Sequence, residues 1–345
     1  GFKNSMKVLA DSIRDSGYVH GLTVAPFIAS KKSRLVQEYP QWIMRDRRDK
    51  PVVAGYNPNW DGTYYALDIT SPGFMPWLEK IFTTIRHEWG FDYIKLDFMY
   101  AASLPGVLHD RALTRAQVLD LGLQKIRQYS GEDAFLLGCG MPISGAVGYM
   151  NAMRVSCDVS PSWEPSLLEK LAGGDSHVET RGAIRNSIVR SFMHDNFWIN
   201  DPDCLMLRRQ NTGLTPEERD SLYNAIMILG GMMVISDKMP DYSPEELDDL
   251  FRAFEIFEKT SASEAVVLDL LEKKMPEMVY NKSGHLAVFN FSGKERVQTL
   301  YHPGLEQYAV QDVNAVDVHS GERMEISKTS SITLPSHGSR LLKLE

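Results

Sequence analysis

From residue 20 to about residue 260 the sequence alternates between short strand-like runs and longer amphipathic helical runs, and few architectures accommodate that order. Strand candidates fall at His20–Pro26, Tyr64–Ile69, Tyr93–Phe98, Ala134–Leu137, Asn151–Ser156, Phe197–Ile199 and Met232–Ile235. Helical spacing intervenes, as with Trp77, Leu78, Ile81, Phe82 and Ile85, or Val118, Leu119, Leu123 and Ile126. Start signals mark the helices. Ser71-Pro72 reads as an N-cap with a first-turn proline, and Thr215-Pro216-Glu217-Glu218 and Ser243-Pro244-Glu245-Glu246 read as capping boxes. Arg45 to Asp61 reads as a long loop. Strand-helix alternation implies parallel strands joined by crossover helices, in an open sheet or a closed barrel. No G-x-G-x-x-G follows any strand, which removes the main argument for a dinucleotide-binding sheet. Acidic residues close several strands (Asp68, Asp97, Asp158, Asp201, Asp237), and barrel enzymes build their sites on that face. The fold class expected is α/β, a TIM (β/α)8-type barrel with about seven of eight strands, over residues 1–272.

Near Pro276 the pattern shifts. Short alternating segments (Met278–Tyr280, His285–Phe291, Arg296–Tyr301, Tyr308–Asp312, Ser331–Leu334, Ser339–Leu344) are separated by Ser-Gly and Pro-Gly turns. Residues 273–345 therefore read as a small antiparallel β-sandwich.

Composition excludes some functions. A formal net charge of -8 argues against nucleic acid as the main partner. No apolar run reaches the ~20 residues of a membrane helix, and Gly1 to Ala10 lacks the form of a signal peptide. Three scattered cysteines, Cys139, Cys157 and Cys204, make neither a disulfide framework nor a zinc ribbon. A cytoplasmic setting is the expectation. The chain does not open with Met, so a fragment or a processed product is also expected.

Tyr93-Ile94-Lys95-Leu96-Asp97-Phe98 carries the sharpest chemical signal. Side chains alternate along a strand, so Lys95 and Asp97 share one face of an otherwise apolar segment. Such charges are either a private ion pair or part of an active site. Asp97 and Asp158, on two strand ends and each with a basic residue nearby, are either the pair of carboxylates that glycoside hydrolysis needs or the acids of two structural salt bridges. Arg154 either binds sugar hydroxyls or tunes Asp158. Trp60 and Trp163 either stack on sugar or pack as core and rim. Asp68 either meets a hydroxyl or caps its own loop. Asp201 and Asp203 either brace the site through hydrogen bonds or touch the ligand directly. His194-Asp195 resembles a dyad, but neighbours on a helix do not face each other.

Four ordered motifs add a resemblance: Tyr93–Phe98, Leu137-Gly138-Cys139-Gly140, Arg154-Val155-Ser156-Cys157-Asp158 and Trp198-Ile199-Asn200-Asp201-Pro202-Asp203. Together they resemble the catalytic barrel of α-galactosidases of glycoside hydrolase family 36, and the Asn-Asp-Pro-Asp element is shared with family 27. Ile332 to Gly338 resembles the end of the sandwich in such enzymes, so the likeness runs from Phe2 to the C-terminal segment. The resemblance implies a retaining hydrolase that removes terminal α-D-galactosyl residues from oligosaccharides. Asp97 matches the nucleophile and Asp158 the general acid/base. Lys95, Arg154 and Cys139 match sugar-contacting positions. No cofactor or metal is implied, and the oligomeric state is left open. Other outcomes within this reading are an α-N-acetylgalactosaminidase, a raffinose-type α-galactosyltransferase, or a non-catalytic sugar-binding remnant. The chain departs from the family in three respects. It lacks the large N-terminal β-domain, it lacks a first strand ending in paired aspartates ahead of Phe2-Lys3-Asn4, and Thr23 stands where an aromatic residue is usual.

Overall fold

The computed structural model describes residues 5–60, 62–165, 178–310 and 312–345, so Phe2-Lys3-Asn4 lies outside the described residues. The chain divides into two compact units, Gly1–Met153 and Arg154–Glu345.

In the first unit, helix α1 (Ser5–Asp15) leads to strand β1 (Gly21–Val24) and strand β2 (Ile28–Ser30). Helix α2 (Arg34–Glu38), strands β3 (Val53–Asn57) and β4 (Gly62–Ala66) and helix α3 (Phe74–Thr83) follow. Strand β5 (Tyr93–Leu96), helix α4 (Arg115–Ser130), strand β6 (Phe135–Gly138) and strand β7 (Ala152–Arg154) complete the run. Strands β1, β5, β6 and β7 are neighbours in that order, and the pairing is parallel, with Leu22 opposite Ile94, Leu96 opposite Gly138 and Gly138 opposite Met153. Ile94 and Leu96 are fully buried, and their strand neighbours Tyr93 and Lys95 are half-buried, which is the alternation expected from the pleat. Thr114 caps α4 in a full capping box with Gln117.

Two expectations change here. The segment at Tyr64 is a strand, but it pairs antiparallel with both β2 and β3, and β1 lies directly against β5. Apolar alternation identifies a strand without giving its direction. The few residues between Asn57 and Gly62 suit a hairpin, whereas a parallel partner needs a crossover of about a dozen residues. The loop expected over Arg45 to Asp61 accordingly contains β3. Helix α3 also starts later than Ser71-Pro72 indicates. Its cap is Gly73 at φ 82°, and Ser71 instead donates its hydroxyl to the Gln41 carbonyl.

The second unit continues with helix α5 (Thr180–Val189), strands β8 (Ile199–Asp201) and β9 (Cys204–Leu205), helix α6 (Pro216–Leu229), strand β10 (Val234–Ile235) and helix α7 (Pro244–Thr260). The Val155 amide donates to the Asp201 carbonyl, and β9 pairs parallel with β10. Thr215 with Glu218 and Ser243 with Glu246 form the two capping boxes, each with proline in the first turn. Strands β11 (Ala265–Val267), β12 (Met278–Asn281), β13 (His285–Phe289), β14 (Arg296–Thr299), β15 (Val313–Asp317), β16 (Arg323–Ile326), β17 (Ser331–Leu334) and β18 (Ser339–Leu344) follow. They form a six-stranded sheet ordered β11-β12-β13-β18-β15-β16 and a two-stranded sheet of β14 and β17. Leu286, Val288, Leu300, Leu305, Ala315, Ile326 and Leu334 are buried in one cluster. The strand expected over Tyr308–Asp312 is displaced. Pro303–Tyr308 is a 3-10 turn, entered by a proline suited to its first position, and the strand begins at Val313. Strand β11 precedes residue 273, and α6 is hydrogen-bonded to the sheet through Ser221 to the His337 carbonyl (2.6 Å) and Asn224 to Ser339 (2.8 Å). The chain is thus a parallel α/β core followed by an antiparallel β domain. Among the described residues no helix is long and apolar enough to cross a membrane.

His285 on β13 is buried beside the Ser283 hydroxyl, 2.9 Å away. Burial, then Lys259 and Lys343, hold its imidazole down at about 4. The unfolded value is about 6.5, so between these pH values the unfolded chain binds the extra proton. Stability from this group is complete above pH ~6.5 and is lost as pH falls towards 4, by up to roughly 3 kcal/mol. Thermal melts from pH 7.5 to 4.5 are expected to fall more steeply for the native chain than for His285→Gln. Parallel curves would refute the assignment.

Candidate functional site

Two sets of chemically active side chains stand out, one in each unit. In the first unit the centre is Asp97, immediately after β5. Its amide donates to the Val24 carbonyl (2.8 Å), which fixes the backbone to β1. Its Oδ1 accepts the Phe98 amide at 2.8 Å, and among the described residues its Oδ2 has no hydrogen-bond partner. Lys95, two residues earlier, makes no hydrogen bond or ion pair among the described residues. The private ion pair is therefore absent. A half-buried ammonium and a half-buried carboxylate on adjacent same-face positions are both left available to a ligand, an arrangement that costs stability unless it is used.

Phe98 sits at φ 55°, in the left-handed region that a bulky residue rarely enters. That turn directs the chain into an aromatic group. The Phe98 ring lies 5.0 Å from Trp60, 5.6 Å from Tyr64 and 6.3 Å from Tyr100 between centroids. Tyr100 donates to the Ala54 carbonyl at 2.8 Å. Burial first, then the Tyr64 hydroxyl and the Asp97 charge, raise its phenol above the ordinary value. Trp60 is 41% exposed, so its indole retains open surface for stacking.

The Gly-Cys-Gly segment after β6 borders the same carboxylate. The Cys139 amide donates to the Leu96 carbonyl at 2.7 Å, and the Cys139 thiol is buried and forms no disulfide. Gly140 has φ 55°, and a Cβ there would lie 3.3 Å from Asp97 Oδ1 and 3.2 Å from the Phe98 amide nitrogen. Glycine is needed for both the turn and the close approach. Asp68 takes the capping alternative. It is buried, its Oδ1 accepts from the Thr70 amide and hydroxyl, and its Oδ2 accepts from the His109 amide at 2.7 Å. Both of its oxygens thus brace the surrounding loops.

In the second unit the centre is Arg154, which is buried. Its Nε meets Asp201 Oδ2 (3.1 Å), its Nη1 meets Asp158 Oδ1 (2.8 Å) and its Nη2 meets Asp203 Oδ1 (2.7 Å). Every guanidinium nitrogen thus faces a carboxylate. Through Nη1 the guanidinium holds Asp158 in place. Asp201 and Asp203 are buried in turn. Asp201 Oδ1 accepts the Asp203 amide (2.8 Å), and Asp203 Oδ2 accepts the Val159 amide (2.6 Å). Burial pushes the Asp203 carboxyl up, and Arg154 and the Val159 amide pull it back. Asp158 differs from both, with a side chain 66% exposed and anchored to Arg154 through Oδ1. Both Asp201 oxygens are engaged, by the Asp203 amide and the Arg154 Nε.

Trp163 is 6% exposed, with its ring stacked on His337 at 4.8 Å, so it packs the core and offers no stacking surface. His194 and Asp195 lie just beyond the 3-10 turn Ser191–Met193, not on a helix, and Asp195 is at φ 58°. They approach to 3.6 Å and line a cavity of about 570 Å³ with Ser191, Asn196 and Glu264, which contains neither Asp158 nor Arg154. Asp237 is fully engaged by the Leu207 and Arg208 amides, the Arg208 side chain and the Tyr242 hydroxyl. Trp60, Phe98 and Gly140 are named from the sequence, but the rings of Tyr64 and Tyr100 beside them, and the close approach that needs Gly140, are not. Their signals are present in Phe98-Met99-Tyr100 after Asp97 and in the second glycine of Gly-Cys-Gly.

The chain matches no protein-family model. Solved structures do resemble it. An α-galactosidase from Thermus thermophilus in complex with p-nitrophenyl α-D-galactopyranoside has a TM-score of 0.67 and 29% identity, over 80% of this chain and 53% of that one. The same enzyme in complex with stachyose gives 0.64 and 31%, over 72% and 52%. A family 27 β-L-arabinopyranosidase from Geobacillus stearothermophilus gives 0.65 and 17%, over 99% and 77%. The present chain spans about half the length of the Thermus enzyme. It is structurally similar to α-galactosidases and related glycosidases that join a barrel to a C-terminal β domain.

Proposed function

We propose that the chain is a retaining glycoside hydrolase acting on terminal α-D-galactosyl residues, with Asp97 as nucleophile and Asp158 as general acid/base. The observation that carries this reading is the state of Asp97 among the described residues, with one oxygen held by the Phe98 amide, the other without a hydrogen-bond partner, and the neighbouring Lys95 ammonium in no ion pair. A structural carboxylate would look like Asp68 or Asp201, with both oxygens engaged. The open oxygen attacks the anomeric carbon and displaces the aglycone to form a β-galactosyl ester. Asp158, exposed and steadied by Arg154, gives its proton to the departing oxygen and then takes one from the attacking water, so the product keeps its configuration. Lys95 and Trp60 serve the sugar, by hydrogen bonding and stacking respectively. Cys139 borders Asp97 through the Gly-Cys-Gly turn. The similarity to a solved enzyme holding an α-galactoside supports the choice of sugar.

Proton NMR of the anomeric region during hydrolysis of p-nitrophenyl α-D-galactopyranoside tests the proposal. α-Galactose is expected as the first product, before mutarotation. First appearance of the β-anomer, or no turnover, would overturn it.

A further inference from the structure

The loop that leaves Asp97 runs through Met99–Ser103 to Pro105 and Gly106, where it meets the turn that follows Met44. The Val107 amide donates to the Arg45 carbonyl at 2.7 Å. At Gly106 a Cβ would lie 2.4 Å from Met44 Cγ and 3.2 Å from the Arg45 carbonyl oxygen, so the Met44 side chain packs directly on this backbone. A cavity of about 500 Å³ opens beside this junction, lined by Asp46, Arg47, Arg48, Pro105, Gly106 and Arg115. Three arginines from two separate stretches of chain therefore face one space, in a protein whose net charge is -8.

The partners of these charges decide the reading. Among the described residues the guanidinium groups of Arg47 and Arg48 make no hydrogen bond or ion pair. Among the described residues the Arg115 guanidinium reaches the Ser103 carbonyl alone, at 3.3 Å. Asp46, the single carboxylate in the lining, is committed to its own turn, since its Oδ1 accepts the Arg48 and Lys50 amides at 2.8 and 2.9 Å. Those bonds hold the turn in place through Oδ1, and the one carboxylate charge, which also acts on Arg48, offsets only part of the charge of three arginines. A solvated basic face needs neither a cavity nor convergence from two stretches. A planar guanidinium fork matches sulfate, phosphate and carboxylate oxygens in pairs, and several forks around one space exceed what a single charge offers.

We propose that this cavity binds an oxyanion group (sulfate, phosphate or carboxylate), either as a free ion or as a substituent on a sugar. The site is independent of the hydrolytic reading, because it requires neither Asp97 nor Asp158.

Calorimetric titration of the full chain with sodium sulfate at low ionic strength tests the proposal. Saturable binding is expected, weakened at least about tenfold in the Arg48→Ala/Arg115→Ala double variant, as loss of two charge-assisted contacts implies. Both side chains are exposed, so the melting temperature should hold. Asp97→Asn should bind sulfate like the native chain, which separates this site from the catalytic one. A sulfated aryl galactoside is then compared with its uncharged counterpart. Tighter binding of the charged sugar, lost in the double variant, identifies a substituent as the ligand. Equal binding of the two sugars, with sulfate still held, identifies a free ion. Absence of saturable sulfate binding up to about 50 mM, the range of a weak small-anion site, or unchanged affinity in the double variant, would overturn the proposal.

Discussion

Asp97→Asn is expected to lower kcat for an aryl α-D-galactoside by about 10⁴-fold or more, with the fold unchanged, as removal of a covalent nucleophile does in other hydrolases. The substitution is almost isosteric. The amide oxygen of asparagine can still accept the Phe98 amide bond now made by Asp97 Oδ1, and the backbone bond to the Val24 carbonyl does not involve the side chain. Lys95 also remains in place. What disappears is the negative charge and nucleophilicity of the open oxygen. Steady-state kinetics beside a thermal melt separates the two effects. Turnover within about tenfold of the native chain, with an unchanged melt, would remove Asp97 from the nucleophile's role.

Arg154→Leu is expected to destabilise the protein by about 3–5 kcal/mol, because it removes one partner from a buried ionic network. Asp201 and Asp203 would remain as buried carboxylates facing an apolar side chain, each keeping only its amide contact. Asp158 would lose little stability of its own, since it already faces water, but it would lose its anchor. Urea unfolding monitored by fluorescence gives the magnitude. The deficit should shrink as pH falls. Burial already pushes the Asp203 carboxyl up and Arg154 pulls it back, so without the guanidinium its folded-state pKa lies further above the unfolded one and protonation relieves the penalty at low pH. Arg154→Lys keeps one charge but not the fork, and it should fall between the two. A loss below about 1 kcal/mol would mean that the network contributes nothing net, as some buried ion pairs do not.

Much of the framework was legible in the residues. The capping boxes at Thr215 and Ser243 start α6 and α7 as expected, because capping depends on a handful of consecutive residues. The strand at Tyr93–Leu96 was legible for the same reason, through its alternation. The direction of β4 was not, because pairing partners are chosen by chain segments far apart in sequence. The starts of α3 and β15 were misplaced where a proline or serine can serve equally well in a turn.

The residue types that carry chemistry were likewise visible in the chain, at Asp97, Asp158, Lys95 and Arg154. The sequence alone determined that a charged pair would share one face of an apolar strand, since strand geometry leaves no other placement. It could not determine whether that pair closes on itself. Only the tertiary structure decided that Lys95 and Asp97 stay apart while Arg154 closes on three carboxylates, and that Trp163 is buried while Trp60 is open. The physical reason is reach. Periodicity sets the direction a side chain leaves the backbone, whereas an ion pair or a stacked ring needs a second group within a few ångströms, and packing between distant segments puts it there.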